Sequence, residues 1–360
     1  MEILTKTIAY EALGNFFQEK PFVLFATGVS CALDLRFGMG ALQAYLEKKL
    51  VGLATNQQQQ WDDVLHQLKT QQSDFEAAMN LIQDEDLVRR IVNLTAECVT
   101  KVDCEYASDL LSGKCIWPAE KVFQCLFNAR TSGQSLHVAT PNYDLLAEYA
   151  LTKMNIPYLT GFVGGHCRQL DWKKAQRSVV VRTTKKSGNR VKASFYIEPH
   201  ICLYKPHGSL NTFELDNNIV ECDAWCAQPP EGISRFMVTP GSSKFEKLHE
   251  NSNSLDTYRA AVREHTAFLF LGFGFNDKHL VNDSFREKLQ TQQCAALVIT
   301  RDCNEQTLEW ANKSPNMWIV CKQENNEFTR IYNAQYQDWL HLNDETLWHF
   351  DQFAERILGA

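Results

Sequence analysis

The run Ala267-Phe-Leu-Phe-Leu-Gly272 constrains this chain more than any other stretch. Consecutive apolar residues leave no polar face, so as a strand the run must be covered on both sides. Ending at a glycine turn, it reads as a parallel strand inside an α/β sheet. Pro21-Phe-Val-Leu-Phe-Ala26 repeats the pattern near the N-terminus and runs into Thr27-Gly28-Val29-Ser30. Shorter apolar runs follow at Leu136–Ala139, Pro157–Val163, Ile201–Tyr204, Phe236–Gly241 (strand and loop), Ala295–Thr300 and Trp318–Cys321, with helical spacing between many of them. That alternation predicts an α/β fold on a doubly wound parallel sheet.

Helical spacing appears over residues 7–20, from Leu42 to Leu50, from Leu145 to Lys153 and from Thr257 to His265. It returns between Asp277 and Leu289, near Glu305–Asn312 and over Asp344–Leu358, where Leu347, Phe350, Ala354 and Ile357 share a face. From Trp61 to about Arg130 the chain reads as all-helical. Trp61, Val64, Leu65 and Leu68 form one stripe, Leu87, Ile91, Leu94 and Cys98 another, and Ser73-x-x-Glu76 suits a capping box. Strands of a doubly wound sheet usually lie closer together than this. Residues 55–130 are therefore expected to be a helical module inserted between the first and second strands, either covering a ligand site or forming an oligomer surface. We read 1–360 as a single α/β domain with that insert and a basic β-hairpin at 173–198.

The hydrophobic share of 44 % and charged share of 22 % are those of a soluble globular protein. A net charge of -7 gives no overall case for nucleic acid, so direct nucleic-acid binding is not expected. The local exception is the hairpin, where Lys173, Lys174, Arg177, Arg182, Lys185, Lys186, Arg190 and Lys192 follow one another without an acid. It reads as a solvated hairpin or as a docking surface for an acidic partner; without interleaved aromatics it is a poor single-strand groove. The N-terminus lacks a signal peptide's basic and apolar segments, and no run could cross a bilayer, so a cytoplasmic protein is expected. The 12 cysteines are scattered, the closest pair being Cys222-x-x-x-Cys226, so reduced thiols are expected and no metal site.

Chemistry-bearing residues cluster where strands end, the edge at which open α/β sheets bind ligands. His137-Val-Ala-Thr-Pro-Asn-Tyr-Asp144 breaks at Pro141 and presents Asn142 and Asp144, although both also suit the start of a helix. Gly28 would let the backbone approach a phosphate, or simply make a strand-to-helix turn; the full Gly-x-Gly-x-x-Gly fingerprint is absent. Lys205-Pro-His207-Gly-Ser-Leu-Asn211 exposes a histidine that is either a turn residue or a proton acceptor near neutral pH. Leu271-Gly-Phe-Gly-Phe-Asn-Asp277 supplies a second glycine turn.

Together these four stretches resemble the sirtuin family, and more closely its divergent bacterial branch that hydrolyses NAD in antiphage defence. Ala26-Thr-Gly-Val-Ser30 is similar to the sirtuin Gly-Ala-Gly-x-Ser loop, and Leu33-Asp-Leu-Arg-Phe37 echoes the Pro-Asp-Phe-Arg segment after it. Thr140-Pro-Asn-Tyr-Asp144 corresponds to Thr-Gln-Asn-x-Asp, and His207-Gly208 to the catalytic His-Gly. The four-cysteine zinc ribbon of the deacetylases has no counterpart here, and no peptide channel is identifiable, so the resemblance implies water as the acceptor and no zinc.

It implies a Rossmann-like sheet of sirtuin type and an NAD glycohydrolase releasing nicotinamide and ADP-ribose, with a non-catalytic NAD or ADP-ribose sensor, a deacylase or an ADP-ribosyltransferase as alternatives. Asn142 and His207 would be catalytic. Thr27, Gly28 and Ser30 would hold the pyrophosphate, Thr140 and Asp144 would contact the nucleotide, and Gly272, Gly274 and Asp277 would contact the adenosine side. The resemblance further implies a homo-oligomer and an activating partner, either a HerA-like hexameric ATPase or an Argonaute-type protein.

Overall fold

The apolar runs become strands buried on both faces. The computed structural model describes residues 3–70, 75–187, 190–239, 252–277, 280–281, 283–336 and 338–360. Ser73 of the expected capping box and Pro240-Gly241 of the expected loop lie outside them.

The main sheet uses β1 (Phe22–Phe25), β2 (Ser135–Ala139), β3 (Tyr158–Leu159), β8 (His200–Tyr204), β12 (Ala267–Leu271), β13 (Ala295–Thr300), β14 (Met317–Lys322), β15 (Thr329–Asn333) and β16 (Leu340–Leu342). Their order across the nine-stranded sheet is β16-β15-β14-β13-β12-β1-β2-β8-β3. All neighbours from β14 to β3 are parallel; β15 and β16 close one edge antiparallel. This is the expected Rossmann-like α/β architecture.

Alternate side chains along each strand feed separate cores. Val23, Phe25, Leu269 and Leu271 face a layer built from the helices Lys6–Phe16, Glu120–Asn128 and Leu146–Lys153 and the C-terminal Phe350–Phe353. Phe22, Leu24, Phe268 and Phe270 face Tyr258 and Val262 of Ser252–Glu264 and Trp310 of Glu305–Lys313. Burying each Phe on both strands contributes roughly 1.5–3 kcal/mol, which explains why the sheet centre is the most apolar part of the sequence.

A second, antiparallel sheet of order β11-β9-β10-β5-β4 flanks the first: β4 (Phe162–Gly164), β5 (Arg168–Leu170), β9 (Gly208–Leu215), β10 (Asn218–Glu221) and β11 (Ser234–Met237). Pro157–Val163, expected as one strand, is thereby split between two sheets. The break is Gly161, at φ +88°, where an added Cβ would lie 2.5 Å from the Trp172 ring. Residues 173–178, expected in the basic hairpin, belong instead to the helix Trp172–Ser178, capped by Asp171 and held by buried Trp172 and Ala175. The hairpin proper is β6 (Val180–Ser187) with β7 (Arg190–Ile197).

The helices between β1 and β2 have a core of their own, but its limits differ from 55–130. Leu42, Leu46 and Leu50 from the helix Met39–Lys49 join Trp61, Val64, Phe75, Ile82, Leu87 and Ile91. The far half of the long helix Glu85–Ser112 (Val102, Leu110) and the helix Glu120–Asn128 pack on the sheet. The final helix starts at Phe350, not 344, with Leu347 buried ahead of it. All 12 cysteines are free thiols. Among the described residues no helix is long and apolar enough to cross a membrane.

Candidate active site at the sheet's carboxyl edge

The chain leaves β1 toward β2 on one side and later enters β12 on the other, so β1 and β12 flank the topological switch point where an open sheet forms its ligand crevice. Their glycine turns touch. An added Cβ on Gly28 would lie 2.6 Å from the Cα of Gly272, and one on Gly272 would lie 2.7 Å from Gly28 backbone atoms. The Gly28 N–H donates to the Gly272 carbonyl at 3.1 Å. Gly28 is thus required by the approach of two backbones, and its N–H is already used.

Beside this contact, β2 ends at Ala139 and the chain turns. The Asn142 N–H donates to Thr140 Oγ1 at 3.1 Å, a local side-chain bond that fixes the turn around Pro141. The Asn142 amide donates from Nδ2 to Ser30 Oγ at 2.9 Å, Ser30 donates to Asp144 Oδ2 at 2.8 Å, and Thr27 Oγ1 reaches Asn142 Oδ1 at 3.5 Å. Asp144 also accepts the Leu146 N–H at 3.4 Å, and Lys205 Nζ donates to its carbonyl at 2.6 Å and to Glu148 at 2.8 Å. Burial pushes the Asp144 carboxyl pKa upward, with Lys205 and the Ser30 hydrogen bond opposing.

His207 follows β8. Gly208 next to it sits at φ +70°, where an added Cβ would meet the Phe236 carbonyl at 2.1 Å, so only glycine permits this turn. The His207 carbonyl accepts the Val238 N–H at 2.9 Å. Its Nε2 lies 3.3 Å from Asp277 Oδ2, and Asp277 Oδ1 accepts the Leu280 N–H at 3.2 Å. Both side chains are buried.

Thr27, Asn142, Asp144, His207 and Asp277 line one cavity of about 350 Å³, whose apolar wall includes Phe75, Cys98 and Val99 of the helical insert. The insert therefore covers the site. A second cavity of about 740 Å³ is lined by Gly28, Cys31, Trp117, Arg301, Asp302 and Trp348 among others, and Gly272 and Gly274 line both. Ser30 and Thr140 line neither, and both hold Asn142 by hydrogen bonds. Asp277, expected on the adenosine side, lies beside His207.

Three side chains escaped the sequence reading. Lys205 sat inside the histidine motif, and a lysine two residues before a buried histidine was the available signal. Asn304 caps the helix Glu305–Lys313 and donates from Nδ2 to the Gly274 carbonyl at 3.0 Å, bracing the late turn. Asp103 of the long helix accepts the Leu145 N–H and the Tyr149 hydroxyl, both at 2.7 Å, and nothing in its helical context announced this. Burial raises its pKa to about 7.

The crevice defines a Rossmann-type α/β protein with its polar groups gathered at the switch point. Residues 136–314 match the family model of the SIR2-like domain, a span that contains Asn142, His207 and the Gly272–Asp277 turn. The match supports a sirtuin-like family and an NAD-related function. No curated protein matches the chain.

Proposed function

We propose that this protein is an NAD glycohydrolase that releases nicotinamide and ADP-ribose. The observation that supports this best is the meeting of buried Asn142 with the buried His207–Asp277 pair in one cavity, joined at Gly272 and Gly274 to a second, larger one. A dinucleotide laid across the switch point would place its nicotinamide ribose in the first cavity and its adenosine in the second. The bond between C1′ and the nicotinamide nitrogen breaks with its electron pair going to nicotinamide, through an oxocarbenium-like state. Water adds to C1′, and its proton passes to His207. Asp277 holds the His207 ring and offsets the positive charge it gains. The Asn142 carboxamide, fixed by Ser30, orients the ribose and the water. The apolar wall from the insert limits other water.

Hydrolysis of NAD must be restrained in a living cell. We extend the reading, on the family resemblance, to an antiphage effector switched on by a partner such as a HerA-like ATPase.

Nicotinamide release by the full chain, with and without an acyl-lysine peptide, beside a folded Asn142→Ala protein, tests the proposal. Release without peptide that Asn142→Ala abolishes is expected. Release only with peptide would turn the assignment to a deacylase, and NAD binding without release, even with the partner, to a sensor.

A further inference from the structure

The β6–β7 ribbon belongs to neither sheet: among the described residues its strands pair only with each other. A two-stranded ribbon is marginal alone in water, and its outer edges offer unused backbone groups. Its root is nonetheless fixed. The Gly133 N–H donates to the Ile197 carbonyl and the Glu198 N–H to the Val179 carbonyl, each at 2.9 Å, with Val179 buried.

The pairs Val180–Ile197, Arg182–Phe195 and Thr184–Ala193 lie directly opposite each other, so these six side chains share one face. Val180 and Ile197 are each 42 % exposed and Phe195 is 67 % exposed, an apolar strip standing in solvent beside Arg182. Apolar residues gathered this way mark an interaction surface.

Charge indicates what covers it. Residues 173–192 carry eight of the 36 Lys and Arg and none of the 43 Asp and Glu, so the rest of the chain sets 28 cations against all 43 acids. Two ribbons pairing edge to edge would oppose the five cations of one, Arg182, Lys185, Lys186, Arg190 and Lys192, to the same five of the other. A ribbon against the acidic body of another copy has complementary charge.

We propose that the β6–β7 ribbon is an assembly surface whose apolar face docks on the body of a second copy of this chain, in a head-to-tail contact. Such a contact uses different patches on the two partners, so it builds a closed ring or an open chain instead of a two-fold dimer. This inference is independent of the chemistry in the cleft.

Sedimentation of the full chain over a range of concentrations, at about 0.1 M and about 1 M salt, tests it. Wild type is expected at a multiple of 41.2 kDa in the lower salt, shifting toward the monomer in the higher. Phe195→Glu and, separately, Arg182→Glu should each raise the dissociation constant at least about tenfold, with unchanged circular dichroism. Both sites are exposed, and two variants guard against a folding artefact in one. A wild type that stays monomeric throughout, even if it binds another acidic protein or a nucleic acid, would overturn the proposal. So would assembly equally strong in both variants.

Discussion

The two cavities that meet at Gly272 and Gly274 are built differently. The smaller sets buried polar groups, whose positions are fixed by one another, against an apolar wall that includes Phe37, Phe75 and Phe273: Asn142 is held by Ser30, Ser30 by Asp144, and His207 by its place beside Asp277. The larger takes its walls from Trp117, just ahead of the helix Glu120–Asn128, Arg301, just after β13, and Trp348, just before the last helix, and Arg301 is already engaged by Asp302. Held dipoles and a proton acceptor suit a reacting centre, whereas aromatic walls suit the grip on a nonreacting end of a ligand. Chemistry should therefore respond to changes in the first cavity and affinity to changes in the second.

The shared turn is where both should fail together. Gly272→Ala places a Cβ inside Gly28 backbone and holds a non-glycine residue at φ +57°. We expect a loss of roughly 3 kcal/mol or more in urea unfolding. An unchanged midpoint would show that the two turns separate readily.

Within the first cavity, His207→Ala should lower kcat by about 10²–10³-fold in nicotinamide release. Asp277→Asn should lower it less, about tenfold, with KM held. Equal KM effects and no kcat effect would assign the pair to binding and erase the contrast.

Asp103 ties the long helix to the start of the helix Leu146–Lys153 and gives the fold a pH signature. Its carboxyl titrates near 7 in the folded protein, above the unfolded value near 3.8, because burial disfavours its charge. The folded state thus keeps a proton that the unfolded state has released. This stabilisation is full below the unfolded pKa and is lost as pH rises through about 7. Asp103→Asn should remove that fall, worth up to roughly 3–4 kcal/mol between its ends. Glu221, likewise raised to about 7 by burial, leaves a residual slope. Melting across pH 4–8 measures it, and superimposable curves would sink the assignment.

The smallest effect belongs to the second cavity. Trp348→Ala should raise KM for NAD about tenfold, the range for losing an aromatic partner of a base, and leave kcat alone. A fall in kcat instead would mean the two cavities do not divide binding from reaction.

The central strands were legible because an unbroken apolar run has few ways to be buried, and because Gly28, Gly208 and Gly272 mark sharp departures from them. The second sheet was not, because β9 and β10 are mixed in character and their burial comes from neighbours distant in the chain. Nor did spacing disclose that 173–178 is helical, since capping by Asp171 and the burial of Trp172 outweigh a continuous charge run. The His207–Asp277 pair joins residues 70 positions apart, and no local pattern encodes such a meeting. Nor did any such pattern disclose that the atom for which Gly28's missing Cβ makes room belongs to Gly272.

The parallel sheet, the helices inserted between its first two strands and the residues offered at its carboxyl edge could be read from the order of residues. These follow from side-chain periodicity and from backbone freedom at glycine, which are local properties. Tertiary structure alone decided which of those residues face a cavity and which brace it, where the insert stops being separate, and that Asp277 stands by the histidine. Each of these depends on how strands are ordered across the sheet, because contacts between distant segments are set by burial and packing and not by spacing along the chain.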